Sequence, residues 1–172
     1  SAAKTVNFGI MYGQGAVGLA RQIGVTRDEA TQFIAAYRAQ FPGVDRFLES
    51  TIAGGKKNGY VTTLLKRRRY LPNLRSHHGG FRSEAERMAV NTPIQGTAAD
   101  LIKVAMVRVQ KELTEHHSEA KLLLQVHDEL LLEAPVAEAR TVAERVRTIM
   151  ETALDLTVPI VVDVGVGADW FS

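Results

Sequence analysis

Residues 121–135, KLLLQVHDELLLEAP, constrain this chain more than any other stretch. Two apolar runs, 122–126 and 130–132, are pinched around His127, Asp128 and Glu129. Short apolar runs flanking a tight polar step predict a β-hairpin, with aspartate at a turn position that it tolerates well. The tip then carries two carboxylates beside a histidine, on flanks apolar enough to be core. Carboxylates held on a rigid hairpin can ligate a hard divalent ion such as Mg²⁺, which prefers oxygen ligands and keeps several waters. A solvated turn is the plainer alternative, and the triplet alone does not decide between them.

The 172 residues suffice for one ordinary domain, or part of a larger one, with a real core. Hydrophobic residues make up 45% and charged residues 23%, a globular balance. No run approaches the roughly 18 apolar residues of a membrane span, and no signal-peptide pattern opens the chain. With no cysteine, disulfides and thiolate metal sites are excluded, and a reducing cytoplasm is compatible. The net charge of +2 conceals an asymmetry: residues 51–83 hold eight Lys or Arg and no acid, whereas residues 128–172 sum to −6. The basic block suits a polyanion or a merely solvated face.

The chain opens inside a helical pattern, as if cut from a longer protein, with Ser1 read as a remnant of cloning. Lys4, Phe8 and Tyr12 are spaced four apart, so one helix face presents a cation and two aromatics over about 12 Å. Such a face can meet a phosphate and a base, or can bury Phe8 and Tyr12 as an amphipathic helix. Gly9, Gly13, Gly15 and Gly18 argue for close approach or a hinge-like backbone, without a phosphate-binding fingerprint. Thr26 and Glu29 form a capping box that starts a helix with Ala30, Phe33, Ile34 and Tyr37 on its apolar face, stopped at 41–43. A further helix is expected over 44–57, closed by Asn58 and Gly59.

Segments 60–65 and 69–71 read as a short hairpin joined by residues 66–68, and phosphate contact by the basic block falls here. His77, His78, Gly79 and Gly80 read as a mobile loop. Ser83 and Glu86 read as a capping box opening a helix to about His117, with a kink or break near Asn91 and Thr92 because of Pro93. Arg87, Asn91 and Gln95 recur every four residues, a polar stripe able to hold bases or a sugar–phosphate chain, or simply to face solvent. An amphipathic helix is expected over 136–154 and a strand over 160–166, its Pro159 suiting a strand start.

With these pieces in place, the chain resembles the C-terminal part of the family A DNA polymerases of bacteria. KTVNFGIMYG is similar to motif B of the fingers, ERMAVNTPIQGTAADLIK to the helix pair flanking the template–primer, and QVHDEL to motif C of the palm. The match runs from Ala2 to Trp170. It implies an α+β fold, a truncated polymerase right hand. Residues 1–82 would be a mostly helical fingers portion with the basic hairpin 60–71. Residues 83–172 would be the C-terminal part of the palm, with an antiparallel sheet and the motif C hairpin 121–134. The resemblance gives Asp128 the role of ligand to two catalytic Mg²⁺ ions and Glu129 that of its acidic neighbour. It gives His127 a place near the primer end, Lys4 a grip on the incoming triphosphate, and Phe8 stacking on its base. Tyr12 would lie near the templating base, Arg87, Asn91 and Gln95 would contact the duplex, and Arg67, Arg68 and Arg69 would fall in a basic segment that meets the template–primer. Template–primer DNA and deoxynucleoside triphosphates would be the partners, with no membrane, no obligate protein partner, and a cytoplasmic location.

Motif A, with its second aspartate and sugar-gating glutamate, is absent from these 172 residues, as is the arginine that begins motif B four positions before Lys4. One aspartate holds two hard dications poorly, since their repulsion must be offset by further carboxylates and substrate phosphates. The chain by itself is therefore expected to be inactive. Single-subunit phage-type RNA polymerases are the nearest alternative. An HD-type phosphohydrolase needs further His and Asp ligands on helices, and a non-catalytic nucleic-acid-binding module is the third reading.

Overall fold

Thr26 starts the structure's best-defined helix boundary. Its hydroxyl accepts the Glu29 N–H at 3.2 Å, and the Glu29 carboxylate accepts the Thr26 N–H at 2.8 Å and its hydroxyl at 2.7 Å, so the expected capping box is formed. The Thr26 backbone N–H, then its hydroxyl, hold the Glu29 carboxyl below the usual carboxylate range. A depressed carboxylate contributes stability above its ordinary value and loses it as pH falls through the depressed one, so this cap weakens only in acid.

The computed structural model describes residues 2–116 and 118–170; the readings of Ser1 and His117 lie outside these. The chain forms two units, residues 1–96 and 97–172. The first holds α1 (Ala2–Met11), α2 (Ala16–Ile23), α3 (Arg27–Gln40), α4 (Pro42–Asn58), β1 (Tyr60–Thr62), β2 (Arg68–Tyr70), a 3₁₀ turn (Pro72–Arg75) and the start of α5 (Gly79–Glu115). The second holds the rest of α5, β3 (Lys121–Val126), β4 (Glu129–Glu133) and α6 (Ala139–Glu151). This division falls inside α5, fourteen residues past the boundary expected after residue 82. Among the described residues no helix is long and apolar enough to cross a membrane.

Two small cores build the first unit. Leu19, Ala20 and Ala30 are buried with Val6, Ile23 and Ile34 packed against them, which joins α1, α2 and α3. Gly24 takes φ 74° and returns its N–H to the Ala20 carbonyl, a left-handed cap that ends α2 as glycine readily does. Val61, Leu71, Leu74, Ala85 and Ala89 form the second core, under the β1–β2 hairpin. In the second unit, Ile102, Ala105, Val109 and Leu113 follow each other at three- and four-residue steps, and Val142, Val146 and Met150 at four. Both are helical stripes, and they bury one another together with Leu130 and Leu132 of β4.

Several expectations need correction. The helix α5 starts at Gly79, so Ser83 lies inside it and the Ser83–Glu86 box does not cap it. Gly79 and Gly80 are helical rather than loop; the His78 carbonyl accepts the Arg82 N–H at 3.1 Å, and the Ser76 hydroxyl accepts the His78 N–H. At Pro93 the helix is not broken. Proline removes one N–H but its φ suits a helix, and the Thr92 hydroxyl donates to the Met88 carbonyl at 2.6 Å in the same turn. The last helix spans Ala139–Glu151 rather than 136–154, because Pro135 places its carbonyl over the Glu138 and Ala139 N–H groups and Val136 stays 96% exposed. Residues 160–166 keep alternating exposure but join no ladder among the described residues; a strand needs a partner, and here Val162 N–H finds the Glu151 carboxylate instead. The basic hairpin forms with shorter strands than expected, since residues 63–67 make its loop. Helix α2 was not anticipated.

The loop is pinned to α5 at Gly96. Arg67 donates to the Gly96 carbonyl at 3.0 Å, and its own N–H is accepted by the Thr63 hydroxyl at 3.2 Å. A Cβ at Gly96 would stand 2.6 Å from Thr63 Cγ2, a buried, stiff β-branched side chain. Alanine gains roughly 0.5–1 kcal/mol of helix propensity, but overpacking costs about 1–3 kcal/mol. Gly96→Ala is therefore expected to lower stability by about 1–2 kcal/mol, read as a shift in the urea midpoint; a rise would show that the loop yields freely.

Candidate nucleotide and nucleic-acid site

Helix α1 buries Ile10 and packs Val6 inward, which turns Lys4 and Phe8 outward. Phe8 is 41% exposed, so burial of this aromatic, the plainer reading, does not hold. The Phe8 and Tyr12 rings stack with centroids 6.0 Å apart and 14° between planes, and Lys4 Nζ lies 5.9 Å from the Phe8 centroid. Tyr12 follows α1 in a tight turn. Its N–H reaches the Phe8 carbonyl, Gly13 takes φ 74°, and Gln14 N–H returns to the Gly9 carbonyl. The three side chains border an open cleft with Gly9, Gln14 and Gln22, the two glutamines joined by a 3.0 Å hydrogen bond. Gly9 faces the Gln14 side chain, where a Cβ would clash. The glutamines escaped the sequence reading; Gln22 is eight residues on, and only the fold brings it back.

A Cβ on Gly13 would lie 3.5 Å from Val90 Cγ2, so the Tyr12 end of α1 rests against the part of α5 that carries Arg87 and Asn91. Arg87 and Gln95 are exposed, and Asn91 is half-buried. Asn91 Oδ1 is shielded from solvent and has no hydrogen-bond partner among the described residues. A shielded amide oxygen without a donor carries a penalty of about 1–3 kcal/mol.

The basic block divides under the fold. Lys56 pairs with Glu86 at 2.7 Å, Arg75 donates to the Lys56 and Lys57 carbonyls at the end of α4, and Arg82 donates to the Ser76 carbonyl. Arg67 holds Gly96 as described. Arg68 lies over the Tyr60 ring at 4.7 Å, and hydrogen bonding to Tyr70, then the two phenols, hold its guanidinium above its ordinary value. Arg69 sits opposite Val61 and is exposed, as are Lys57 and Lys66. Of the three consecutive arginines, Arg67 is thus tied to α5 and Arg68 to the tyrosine pair, and Arg69 is exposed on the opposite face of the ribbon from Arg68.

In the second unit, β3 and β4 pair with Val126 opposite Glu129, leaving His127 and Asp128 as a two-residue turn. His127 has φ 54°, a left-handed conformation that costs a non-glycine residue about 1–2 kcal/mol. The Gln125 side-chain amide donates to the His127 carbonyl and braces the turn. Leu123 is an extra residue between the Leu122–Leu132 and Leu124–Leu131 pairs, a bulge that changes which face follows it. Leu130 and Leu132 anchor β4 on the core, so the exposed Asp128 and Glu129 stand on a supported ribbon. Among the described residues no three His, Asp or Glu side chains cluster closely enough to hold an ion. The structure brings Lys4, Phe8 and Tyr12 together in one unit, and His127, Asp128 and Glu129 together in the other.

A cationic, aromatic helix face in a helical unit, followed by a carboxylate-tipped antiparallel hairpin packed on helices, defines a polymerase-type α+β fold. Residues 1–172 match DNA polymerase family A, and the chain belongs to that family. It is 52% identical over 169 residues to DNA polymerase I of Bacillus caldotenax, covering 98% of this chain and 19% of that protein. Against the thermostable DNA polymerase I of Thermus thermophilus it is 51% identical over 171 residues, 99% of this chain and 20% of the relative. The chain thus spans about a fifth of the length of these relatives. The POL domain of Pol1 from M. smegmatis, solved in complex with DNA primer-template and dNTP, superposes with a TM-score of 0.88 at 42% identity, covering 92% of this chain and 28% of that one.

Proposed function

We propose that this chain supplies part of the nucleotide-binding and catalytic surface of a DNA-directed DNA polymerase, residues 1–82 as a fingers portion and 83–172 as a palm portion. The observation that carries the reading is family membership over the whole chain, joined to the outward face of Lys4, Phe8 and Tyr12 on α1. Lys4 holds a triphosphate by charge, Phe8 offers a ring face to the base, and Tyr12 stands at the end of that stack. Arg87, Asn91 and Gln95 contact duplex DNA. His127 meets the primer end, its strained turn fixing the direction of the tip.

Exposed carboxylates on a braced hairpin fit a hard dication bound through waters. Asp128 would hold Mg²⁺, with Glu129 beside it, and the bound ion would supply Lewis-acid charge to the phosphoryl oxygens. Phosphoryl transfer needs positioning and charge neutralisation more than covalent help. The residues of this chain therefore act by orienting the triphosphate, the base and the primer. One aspartate and its neighbour do not offset two dications, so the chain alone extends no primer.

Binding of duplex DNA tests this reading. The outward cations should give an affinity no tighter than about 10⁻⁴–10⁻⁶ M at physiological salt, with log K falling against log salt at a slope of about −3 to −4.5. Arg69→Ala should flatten that slope by about 1 and leave the unfolding midpoint in place, whereas Arg67→Ala should lower stability by about 1–2 kcal/mol, read as a fall in the midpoint. Binding indifferent to salt would mean that the basic block only faces solvent.

A further inference from the structure

Pairing in the β1–β2 ribbon sets Tyr60 opposite Tyr70 and Thr62 opposite Arg68 on one face, and Val61 opposite Arg69 on the other. Val61 is buried in the core beneath, so the tyrosine face looks away from it. The two rings meet edge to face at 5.6 Å and 62°, and the Arg68 guanidinium covers the Tyr60 ring. Tyr70 remains 67% exposed at the end of this small stack. The Leu71 N–H reaches the Gly59 carbonyl at 3.0 Å, closing the open end of the ribbon and fixing the position of both tyrosines. The Tyr60 edge contact and the hydrogen bond with Arg68 hold the Tyr70 ring in place yet leave most of it in solvent.

The chemistry of this face is specific. The Arg68 guanidinium, over the Tyr60 ring and hydrogen-bonded to Tyr70, has five N–H donors and so keeps donors beyond that bond for a phosphate. An exposed phenol offers a π-face that a base can cover, and the bases of a single strand give such faces far more readily than the stacked pairs inside a duplex. The surrounding segment, residues 51–83, carries eight cations and no carboxylate, which complements a phosphodiester chain and repels no part of it. A duplex would engage the cations but leave the ring bare, and an acidic peptide would not need it.

We propose that Tyr60, Arg68 and Tyr70 form a platform for single-stranded DNA, with Tyr70 stacking on one unpaired base and Arg68 holding an adjacent phosphate. The proposal rests on the polymerase reading for the choice of DNA as the polyanion. It adds a single-strand site on the β1–β2 ribbon, apart from the α1 face and the α5 stripe.

Titration of the 172-residue chain with labelled dT₁₂, with an abasic strand of equal length and with a blunt duplex tests it. Tyr70→Leu should weaken dT₁₂ binding on the order of tenfold and leave the abasic strand and the duplex within about twofold. Tyr70→Phe should restore dT₁₂ binding, since the π-face returns without the hydroxyl. Arg68→Gln should weaken dT₁₂ and the abasic strand together and reduce the salt slope by about 1. If Tyr70→Leu binds dT₁₂ like the parent chain, or loses all three DNAs alike while circular dichroism shows it folded, the platform is refuted. Persisting duplex binding then leaves the polymerase reading standing. Absence of binding to any DNA by the unaltered chain would overturn both.

Discussion

Asp128→Ala, in a complete polymerase carrying these residues, is expected to lower kcat at least a thousandfold, about 4 kcal/mol of barrier. Affinity for primer–template should stay within about twofold. The asymmetry follows from where the carboxylate stands. Asp128 is exposed at the tip of the β3–β4 ribbon, is not part of the core beneath, and leaves Leu130 and Leu132 undisturbed when truncated. On the proposed reading it holds charge at the reacting phosphoryl group, whereas DNA affinity would come from phosphate contacts elsewhere. Single-turnover extension and a filter-binding isotherm on the same variant check both halves. Retention of more than about a tenth of the rate, a loss under about 1.4 kcal/mol, would remove Asp128 from the metal.

Lys4→Ala should act on the nucleotide instead. A hydrogen bond from a charged donor contributes about 1.5–3 kcal/mol, so kcat/KM for the incoming nucleotide should fall roughly 10- to 150-fold. The structure sharpens this, because Lys4 is exposed and its ammonium lies 5.9 Å from the Phe8 ring, so its loss removes charge without opening a core. Lys4→Arg should recover most of the effect, and the unfolding midpoint should not move. An Ala variant with unaltered kcat/KM would place the triphosphate elsewhere.

How much of this could be read from residues alone depended on how local each signal was. The Thr26 box, the four-residue spacing of Lys4, Phe8 and Tyr12, and the two hairpins are encoded by neighbours within a few positions, and all four form. The Ser83 box failed because an equally local alternative, the Ser76–His78 turn, starts the helix earlier. Pro93 did not break α5, since buried flanks at Ala89, Val90 and Thr92 hold the helix against the loss of one N–H. Residues 160–166 had the right period and no partner, and pairing is not a property of one segment. Counting charge in residues 51–83 found the basic block, but only the fold showed that Lys56, Arg67, Arg75 and Arg82 serve their own unit and that Arg69 stays exposed on the face of the ribbon opposite the tyrosines. The Tyr60–Tyr70 pair was not read from the sequence, because strands over 60–65 and 69–71 imply a different register.

Replacing the matching segment of the Bacillus caldotenax DNA polymerase I with this chain tests the central claim most directly. The graft exchanges 169 aligned residues at 52% identity. Primer extension by the chimera should proceed within about an order of magnitude of the unaltered relative, Asp128→Ala should abolish it, and the chain alone should extend nothing. A folded chimera that binds primer–template yet adds no nucleotide would show that Lys4, Phe8, Tyr12 and Asp128 do not carry the work assigned to them.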